Sequence, residues 1–274
     1  MTRRLALTAG PWALALAVLV SLIPGVAHAP GTPYRQTSYS SSGGAHLAGR
    51  LPLAGIRIAL DPGHQLGNHN FPAEINRIVK AGRDYRKACN TTGTAIDGGL
   101  PEATIVWRIA RQARARLEQL GAKVFLTRGS NSERRWGPCV DTRGRFGKRV
   151  DARLMVSIHA DGEVNRSFHG FHVIPPSRGH LVKPSNVRPS MRLAKAVRRG
   201  FDRHHIARSN YIGGGTALNP RNDLGTLNMA RVPVAMVEIG NVHNRSDAHQ
   251  MSTVRGRHRY AMAVVAGIRA FLGR

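Results

Sequence analysis

The feature of this sequence that most constrains its fold is an alternation of short apolar runs with longer segments of helical periodicity. The short runs are IRIAL (56–60), KVFLT (123–127), LMVSI (154–158), FHVI (171–174) and VAMVEI (234–239). Runs of this length, nearly continuous in apolar residues, are typical of strands that helices cover on both faces of a sheet.

Helical segments lie between the predicted strands. Over 102–120 the apolar side chains recur about every 3.6 residues, Pro101 suits the first turn, and Gly121 ends the pattern. Further helices are predicted over 188–205 and 257–272, with a shorter one over 142–150. Strands that alternate with helices predict a single layered α/β domain, with a mostly parallel or mixed sheet flanked by helices on both faces.

The first 29 residues carry a different signal. Two arginines precede a short apolar run over 11–23, and the small residues VAHA follow it, which is typical of a secretory signal peptide. The run is too short for a comfortable membrane span, which needs about 20 residues. We expect export to the periplasm, the cell wall or the medium. Cleavage after Ala27, cleavage after Ala29 and an uncleaved anchor all remain open.

Residues 30–52 are rich in Ser, Gly, Thr and Pro, so we predict a flexible linker there and a folded domain over 53–274. The domain holds both cysteines of the chain, Cys89 and Cys139. In an oxidising compartment such a pair can form a disulfide. Closing a loop of 50 residues (139 − 89) would stabilise the fold by about 4 kcal/mol in the chain-entropy model. The residues alone leave two free buried thiols open as the alternative.

The chain is strongly basic, because 41 Lys and Arg residues stand against 15 Asp and Glu residues, a net charge of +26. Such a field favours anionic polymers, which outside the cytoplasm means acidic wall polymers or lipid headgroups. We expect no nucleic-acid binding, because the basic residues are dispersed and aromatic residues make up only 5% of the chain. The protein is expected to be a monomer.

Three polar residues that can bind a metal or carry a proton lie at the ends of predicted strands. His64 follows the first strand and its Asp-Pro-Gly turn, His159 follows LMVSI, and Glu238 ends VAMVEI. In α/β sheets, ligands bind beyond the carboxyl ends of the strands. Each residue alone also fits a hydrogen-bonded structural role, and Glu102 alone fits a carboxylate at a helix start. Together they indicate a site, because unpaired charge is costly at buried strand ends.

Four segments, in order and with compatible spacing, resemble one known family. They are IALDPGH, LPEATIVWRIARQARARLEQLGAKVFLTR, LMVSIHADG and VPVAMVEIGNVHNRSD, and together they reach across almost all of 53–274. Each is similar to a motif of the zinc-dependent N-acetylmuramoyl-L-alanine amidases, the type 3 family of peptidoglycan amidases. The resemblance is strongest to short exported actinobacterial members, including mycobacterial ones.

The resemblance implies a peptidoglycan hydrolase that uses one Zn²⁺ per chain. Residue by residue, the zinc ligands of the family fall on His64, Glu102 and His159, and its catalytic glutamate falls on Glu238. Two imidazoles and one carboxylate leave a fourth tetrahedral position for water, as in catalytic zinc sites. The bond cleaved would be the amide between the lactyl group of N-acetylmuramic acid and L-alanine of the stem peptide, in peptidoglycan or muropeptides.

The resemblance also bears on residues outside this quartet. Related short amidases carry a cysteine pair in the same segments, which implies a disulfide between Cys89 and Cys139. Apart from the resemblance, the positions of Arg128, after the second predicted strand, and of Arg221 and Asn222, before the last one, make them candidates for lining the substrate groove, with ordinary surface charge as the alternative.

Two other histidines of the domain are not predicted to bind the metal. His69 matches no ligand position of the family and is expected to be a solvated loop residue, whereas His172, inside a strand, is expected to be structural.

Two further functions remain open: a zinc peptidase that cleaves within the stem peptide, and a wall-binding protein that has lost catalysis. The presence of all three predicted zinc ligands and of Glu238 argues against a wall-binding protein without catalysis.

Overall fold

The structure is a computed structural model that describes residues 51–179 and 181–274. The predicted signal peptide and nearly all of the predicted linker therefore lie outside the described residues. Among the helices of the described part, none is long and apolar enough to cross a membrane.

A five-stranded sheet forms the centre of the domain, and a small two-stranded hairpin lies apart from it. The strands are β1 (Arg57–Pro62), β2 (Ile78–Lys80), β3 (Arg86–Ala88), β4 (Lys123–Leu126), β5 (Leu154–Asp161), β6 (His172–Ile174) and β7 (Val234–Asn241). The central sheet has the order β4-β1-β5-β7-β6, and β2 pairs with β3. The first four strands of the central sheet are parallel, and β6 runs antiparallel to β7. The sheet is thus mixed and mostly parallel, as predicted.

Helices cover both faces of this sheet. They are α1 (Pro72–Asn76), α2 (Glu102–Gln119), α3 (Val140–Arg149), α4 (Pro184–Arg203), α5 (Gly225–Asn228), α6 (Arg245–Ser252) and α7 (Val254–Leu272), with a short 3₁₀ turn over Leu66–Asn70. Side chains alternate across each strand, so neighbouring strand residues enter different cores. Ile58 and Leu60 of β1 pack in the core under α2, α4 and α7, whereas Ala59 packs in a second core with Phe146 of α3 and Leu227 of α5.

The boundaries of the strands matter for the site. The structure extends β1 to Pro62 and β5 to Asp161, so each runs past the end that the apolar pattern predicts. The extension of β5 occurs because its partner β7 continues to Asn241, with a register shift between His159 and Asp161. His159 consequently lies within β5 and not in a loop after it.

A disulfide joins Cys89, directly after β3, to Cys139, directly before α3. The backbone N–H of Val140 also donates to the carbonyl oxygen of Cys89 at 2.8 Å. These links fasten the long connection between β3 and α2 onto the start of α3. That connection carries Thr91 to Thr94, which line the site described next.

Candidate metal centre and active site

The topology gathers the predicted ligands at one edge of the sheet. His64 follows β1 by two residues, His159 lies near the carboxyl end of the neighbouring strand β5, and Glu102 is the first residue of α2. Because β1 and β5 are parallel, their carboxyl ends lie side by side. The predicted zinc ligands, far apart in sequence, therefore meet in space.

The carboxylate of Glu102 lies between the two imidazoles. Its Oε2 is 3.2 Å from Nε2 of His64, and its Oε1 is 3.1 Å from Nδ1 of His159. The two rings meet edge to face, with centroids 4.9 Å apart. One ligand atom from each residue lies within 4.8 Å of the other two. Two imidazole nitrogens and one carboxylate oxygen form a donor set that suits zinc and similar divalent cations.

Backbone N–H groups orient the carboxylate of Glu102. The N–H of Thr94 donates to its Oε2 at 3.1 Å, and the N–H of Ala160 donates to its Oε1 at 3.0 Å. Burial alone would raise the pKa of Glu102, but His64 and His159 outweigh burial and hold this pKa well below its usual value. The carboxylate is therefore ionised and fixed in place, as a metal ligand must be.

His64 is oriented through its second ring nitrogen. Its Nδ1 is 3.0 Å from the carbonyl oxygen of Thr91, so a protonated Nδ1 donates there and leaves Nε2 facing Glu102. The backbone of His64 is in the left-handed region, with φ of 53°, which is uncommon for a residue that carries a side chain. Arg143 holds this backbone by donating from Nη2 to the carbonyl oxygen of His64 at 2.6 Å.

A buried ion pair lies beneath the Asp-Pro-Gly turn. Oδ1 of Asp61 accepts hydrogen bonds from Arg143 and Thr127, and Oδ2 accepts one from Ser157, each at 2.6 Å. Burial raises the pKa of Asp61, but Arg143 and the two hydroxyls lower it by more, so the net shift is downward. Because Arg143 also binds the carbonyl oxygen of His64, the ion pair joins the turn to α3.

Two glycines leave the space that the ligands occupy. A Cβ atom on Gly63 would collide with the ring of His159. A Cβ atom on Gly93 would come within 3.0 Å of both Oε2 of Glu102 and the ring of His64, and the backbone of Gly93 has φ of +80°. The glycine of the Asp-Pro-Gly turn is thus required by the ring of His159, which is distant in sequence.

Glu238 faces the same edge from the next strand. In the parallel pairing of β5 with β7 it is opposite His159, and in the antiparallel pairing of β6 with β7 it is opposite His172. Directly opposite residues place their side chains on the same face of a sheet. Glu238 is half-buried, and its Oε2 is buried without a hydrogen-bond partner among the residues that the structure describes.

The surroundings of Glu238 increase the affinity of its carboxylate for a proton. Burial raises the pKa of Glu238 well above its usual value, and the negative charges of Glu102 and Asp161 raise it further, while Arg221 opposes the shift. A carboxyl group with a raised pKa is a better base than an ordinary one, so it can accept a proton and later return it.

Two residues near Glu238, Asp161 and Tyr211, were not singled out from the sequence. The hydroxyl of Tyr211 donates to Oδ2 of Asp161 at 2.6 Å, and its ring stacks on Phe168 with centroids 4.8 Å apart. The ring of His172 meets Tyr211 edge to face, and burial lowers the pKa of His172 to about 4. His172 is buried, as a structural histidine would be, but it also borders Glu238. The register of β6, a strand of three residues, reveals this, and the sequence offers no comparable signal.

Arg128, predicted either to line the substrate groove or to be a surface charge, is buried. Its side chain is buried, with only 4% of the residue exposed, and its guanidinium donates to the carbonyl oxygens of Pro62, Gly63 and Ala103. Both suggested roles, in a substrate groove and as surface charge, require an accessible side chain. Arg128 instead holds the turn before His64 against α2.

The other two groove candidates and His69 lie nearer to solvent. Arg221 pairs with Asp223 at 2.6 Å, and its charge opposes the rise in the pKa of Glu238. Asn222 is half-buried, and its role in substrate binding stays a prediction. The ring of His69 is 3.3 Å from Oε2 of Glu133, and both side chains are more than half exposed, which agrees with a solvated residue.

Comparisons with known proteins agree with this geometry. The family model described as N-acetylmuramoyl-L-alanine amidase (Amidase_3) matches residues 58–270. The N-acetylmuramoyl-L-alanine amidase Rv3717 of Mycobacterium tuberculosis is 36% identical over 222 residues, covering 80% of this chain and 88% of that protein.

Two solved structures have the same fold. The N-acetylmuramyl-L-alanine amidase Ami1 of Mycobacterium smegmatis is 39% identical, with a TM-score of 0.75, covering 81% of this chain and 98% of the other. The apo form of Ami1 from Mycobacterium abscessus is also 39% identical, with a TM-score of 0.72, covering 80% of this chain and 100% of the other.

Proposed function

The chain belongs to the N-acetylmuramoyl-L-alanine amidase family, and we propose that it performs the family's reaction with a zinc ion held by His64, Glu102 and His159. The reaction is the hydrolysis of the amide between the lactyl group of N-acetylmuramic acid and L-alanine of the stem peptide. The enzyme is a peptidoglycan hydrolase.

Zinc is the metal that this donor set favours. Two nitrogens and one oxygen that approach within 4.8 Å of one another can share one ion and leave a position open, which distinguishes a catalytic from a structural zinc site. When bound, zinc supplies a Lewis acid that polarises the scissile carbonyl and makes a water molecule nucleophilic near neutral pH. We propose one zinc per chain.

Glu238 would carry the proton. As the water oxygen bonds to the lactyl carbonyl carbon, the carboxylate of Glu238 takes a proton from the water. When the C–N bond breaks, Glu238 passes a proton to the departing amino group of L-alanine. The raised pKa of Glu238 suits both halves of this transfer, because a strongly acidic carboxyl group would be a poor base.

One observation carries the proposed mechanism: the three-residue cluster has a proton carrier beside it. The cluster joins the ends of β1, α2 and β5, and the pairing of β5 with β7 sets Glu238 opposite His159. A zinc site with an adjacent, incompletely hydrogen-bonded carboxyl group is the arrangement that hydrolytic zinc enzymes need.

Digestion of purified muropeptides, followed by mass spectrometry of the products, tests the reaction. Amidase action releases the intact stem peptide with a free amino group on L-alanine, together with a saccharide that carries a free lactyl carboxylate. Shortened stem peptides would identify a zinc peptidase instead. Unchanged muropeptides from a zinc-loaded, folded preparation would identify a wall-binding protein without catalysis.

We also propose that the protein is exported and acts at the cell wall. The amino-terminal sequence pattern supports export, and the disulfide between Cys89 and Cys139 suits an oxidising compartment. Amino-terminal analysis of the protein recovered from the cell envelope or medium tests this. A start at His28 or Pro30 is expected, and an intact Met1 in a cytoplasmic fraction would contradict export.

A further inference from the structure

From residue 186 to the end of α4, the exposed face of the helix consists of cations. Between residues 186 and 203, every position whose side chain is exposed is Arg or Lys. These positions are Arg188, Arg192, Lys195, Arg199 and Arg203. We call this set the α4 stripe. The opposite face of the helix is apolar, because Leu193, Val197 and Phe201 pack in the main core.

The stripe is straight and narrow. Its members follow one another at intervals of four, three, four and four residues, which at 100° per residue keeps them within about 80° of the helix circumference. Fifteen residues of α-helix between the first and the last correspond to a length of roughly 22 Å. A continuous row of charge of this length matches an extended polymer better than a small ion.

The charges of the stripe are not neutralised within the described part of the chain. None of its members forms an ion pair or donates a side-chain hydrogen bond there, whereas Arg198, on the flank of the same helix, lies 4.0 Å from Asp202. Helix α2 differs, because Glu118 interrupts its exposed arginines and pairs with Arg114 at 2.8 Å. Within the described residues, the cations of the α4 stripe therefore have no ion-pair partner and are available to an external anion.

A cavity continues the stripe at Arg192. Its volume is about 690 Å³, and its walls include Arg57, Arg153, Arg192 and Arg274, with Asp151 as the one acidic side chain among them. It lies where β1 and β5 begin, at the edge of the sheet opposite to the metal centre. We call it the arginine cavity.

We propose that the α4 stripe and the arginine cavity together bind a linear anionic polymer that carries phosphate groups. Arginine predominates over lysine among the residues of the stripe and the cavity. A guanidinium can form bidentate hydrogen bonds with phosphate oxygens, which an ammonium group cannot. Neutralising successive phosphates also releases condensed counterions, which favours polymers over single anions.

An anionic membrane is the competing partner, and the stripe lacks what insertion into one requires. The large apolar side chains that are exposed in the described residues, Leu51, Ile78, Val164 and Val254, all lie outside α4. Interfacial helices normally place apolar side chains next to their cations. The chemistry of this face therefore favours a polymer lying along it.

The location separates this binding from hydrolysis. The arginine cavity is at the amino ends of β1 and β5, and the metal centre is at their carboxyl ends. A polymer held there leaves the catalytic edge of the sheet open, so the surface would retain the enzyme near an anionic envelope without inhibiting it. The inference rests on the surface alone and does not require the proposed catalytic mechanism.

The test compares two variants that lose the same charge, using inorganic polyphosphate as the probe. The first, Arg188→Gln with Arg192→Gln and Arg199→Gln, alters the stripe. The control, Arg108→Gln with Arg111→Gln and Arg116→Gln, alters exposed positions of α2. Full mature protein is titrated at several salt concentrations. We expect at least a tenfold loss of affinity in the stripe variant, a loss below threefold in the control, and a salt slope that falls by about 2 only in the former.

Equal weakening in both variants would overturn the proposal, because it would show that only the net charge matters. Binding to phosphatidylglycerol vesicles without binding to polyphosphate would also overturn it and assign the surface to a membrane. If the triple variant does not fold, the single substitution Arg192→Gln is compared with Arg111→Gln. Arg192 belongs to both the stripe and the cavity, so its loss must weaken binding more than the loss of Arg111 does.

Discussion

Glu238 is the residue whose chemistry can be separated from metal binding. The substitution Glu238→Gln keeps the size of the side chain and removes its ability to accept a proton. We expect hydrolysis to fall by roughly 10²- to 10⁴-fold, the usual contribution of a positioned acid–base group, while zinc content and thermal stability stay at wild-type values. Muropeptide turnover measures this. The exposed Glu133→Gln is the matched control, and turnover within threefold of wild type in Glu238→Gln would refute the assigned role.

Gly63 provides a test of how the second imidazole is positioned. In Gly63→Ala the added methyl group collides with the ring of His159, so the ring must move away from Glu102. We expect zinc affinity to fall roughly tenfold or more, in the range seen when the surroundings of a metal ligand are disturbed. Competition with a chelator measures the affinity. Gly129→Ala is the control, because a Cβ atom there meets open space, and equal affinities in the two variants would contradict the packing argument.

Asp61, in the Asp-Pro-Gly turn before His64, contributes to the stability of the fold through its ion pair with Arg143. Asp61→Asn leaves Arg143 buried without its counter-charge, and breaking a buried ion pair on one side costs about 3–5 kcal/mol. We expect the free energy of unfolding, measured with denaturant at pH 7, to fall by about that amount. A loss below about 1 kcal/mol would show that the pair contributes little.

The same residue predicts a pH dependence. The pKa of Asp61 is lower in the folded state than in the unfolded chain. Its contribution to the free energy of unfolding is therefore fully present above the pKa of the unfolded chain, about 3.9, and is lost as pH falls through the pKa of the folded state. Wild-type stability should therefore decline below about pH 4, and the decline should be shallower in Asp61→Asn. Parallel declines would contradict this assignment.

At the level of single residues, the sequence indicated which side chains could carry out chemistry, but it did not indicate which charged side chains are buried. The predicted metal ligands were chosen through motifs, and the structure brings them close enough together to hold one ion. The buried position of Arg128 was not predictable, because its carbonyl partners come from the turn after β1 and the start of α2, which are distant in sequence.

Among structural elements, the segment between β3 and α2 links the disulfide to the metal centre. Cys89 lies two residues before Thr91, whose carbonyl oxygen binds Nδ1 of His64. Replacing both cysteines by serine should lower the free energy of unfolding by about 4 kcal/mol, because the bridge closes a loop of 50 residues. Zinc affinity should weaken as well, since Thr91 is less firmly held. Denaturant titration and chelator competition measure the two effects, and unchanged zinc affinity would show that the bridge acts on stability alone.

Strands and long helices were predictable because their periodicity reports burial directly. The five central strands and the helices α2, α3, α4 and α7 occur where the apolar pattern indicates. The hairpin of β2 and β3 was not predicted, because its strands have three residues each and are largely exposed, so they carry no apolar alternation. Helix α6 was also missed, although Asn244 caps its start by accepting from Ser246 and Asp247.

For the whole molecule, the sheet places the two proposed functions at opposite edges. The metal centre uses the carboxyl ends of β1 and β5, as the parallel topology predicts, and the arginine cavity uses their amino ends. The net charge of +26 predicted an anionic partner but could not locate it, because location depends on which basic residues remain unpaired after folding.

The central claim is that His64, Glu102 and His159 hold one zinc ion while Glu238 does not. Measurement of zinc per chain by mass spectrometry of the purified protein, for wild type, Glu102→Ala and Glu238→Gln, tests it most directly. We predict about one zinc per chain in wild type and in Glu238→Gln, and a loss of nearly all zinc in Glu102→Ala. Full zinc occupancy in folded Glu102→Ala, or loss of zinc in Glu238→Gln, would contradict the account.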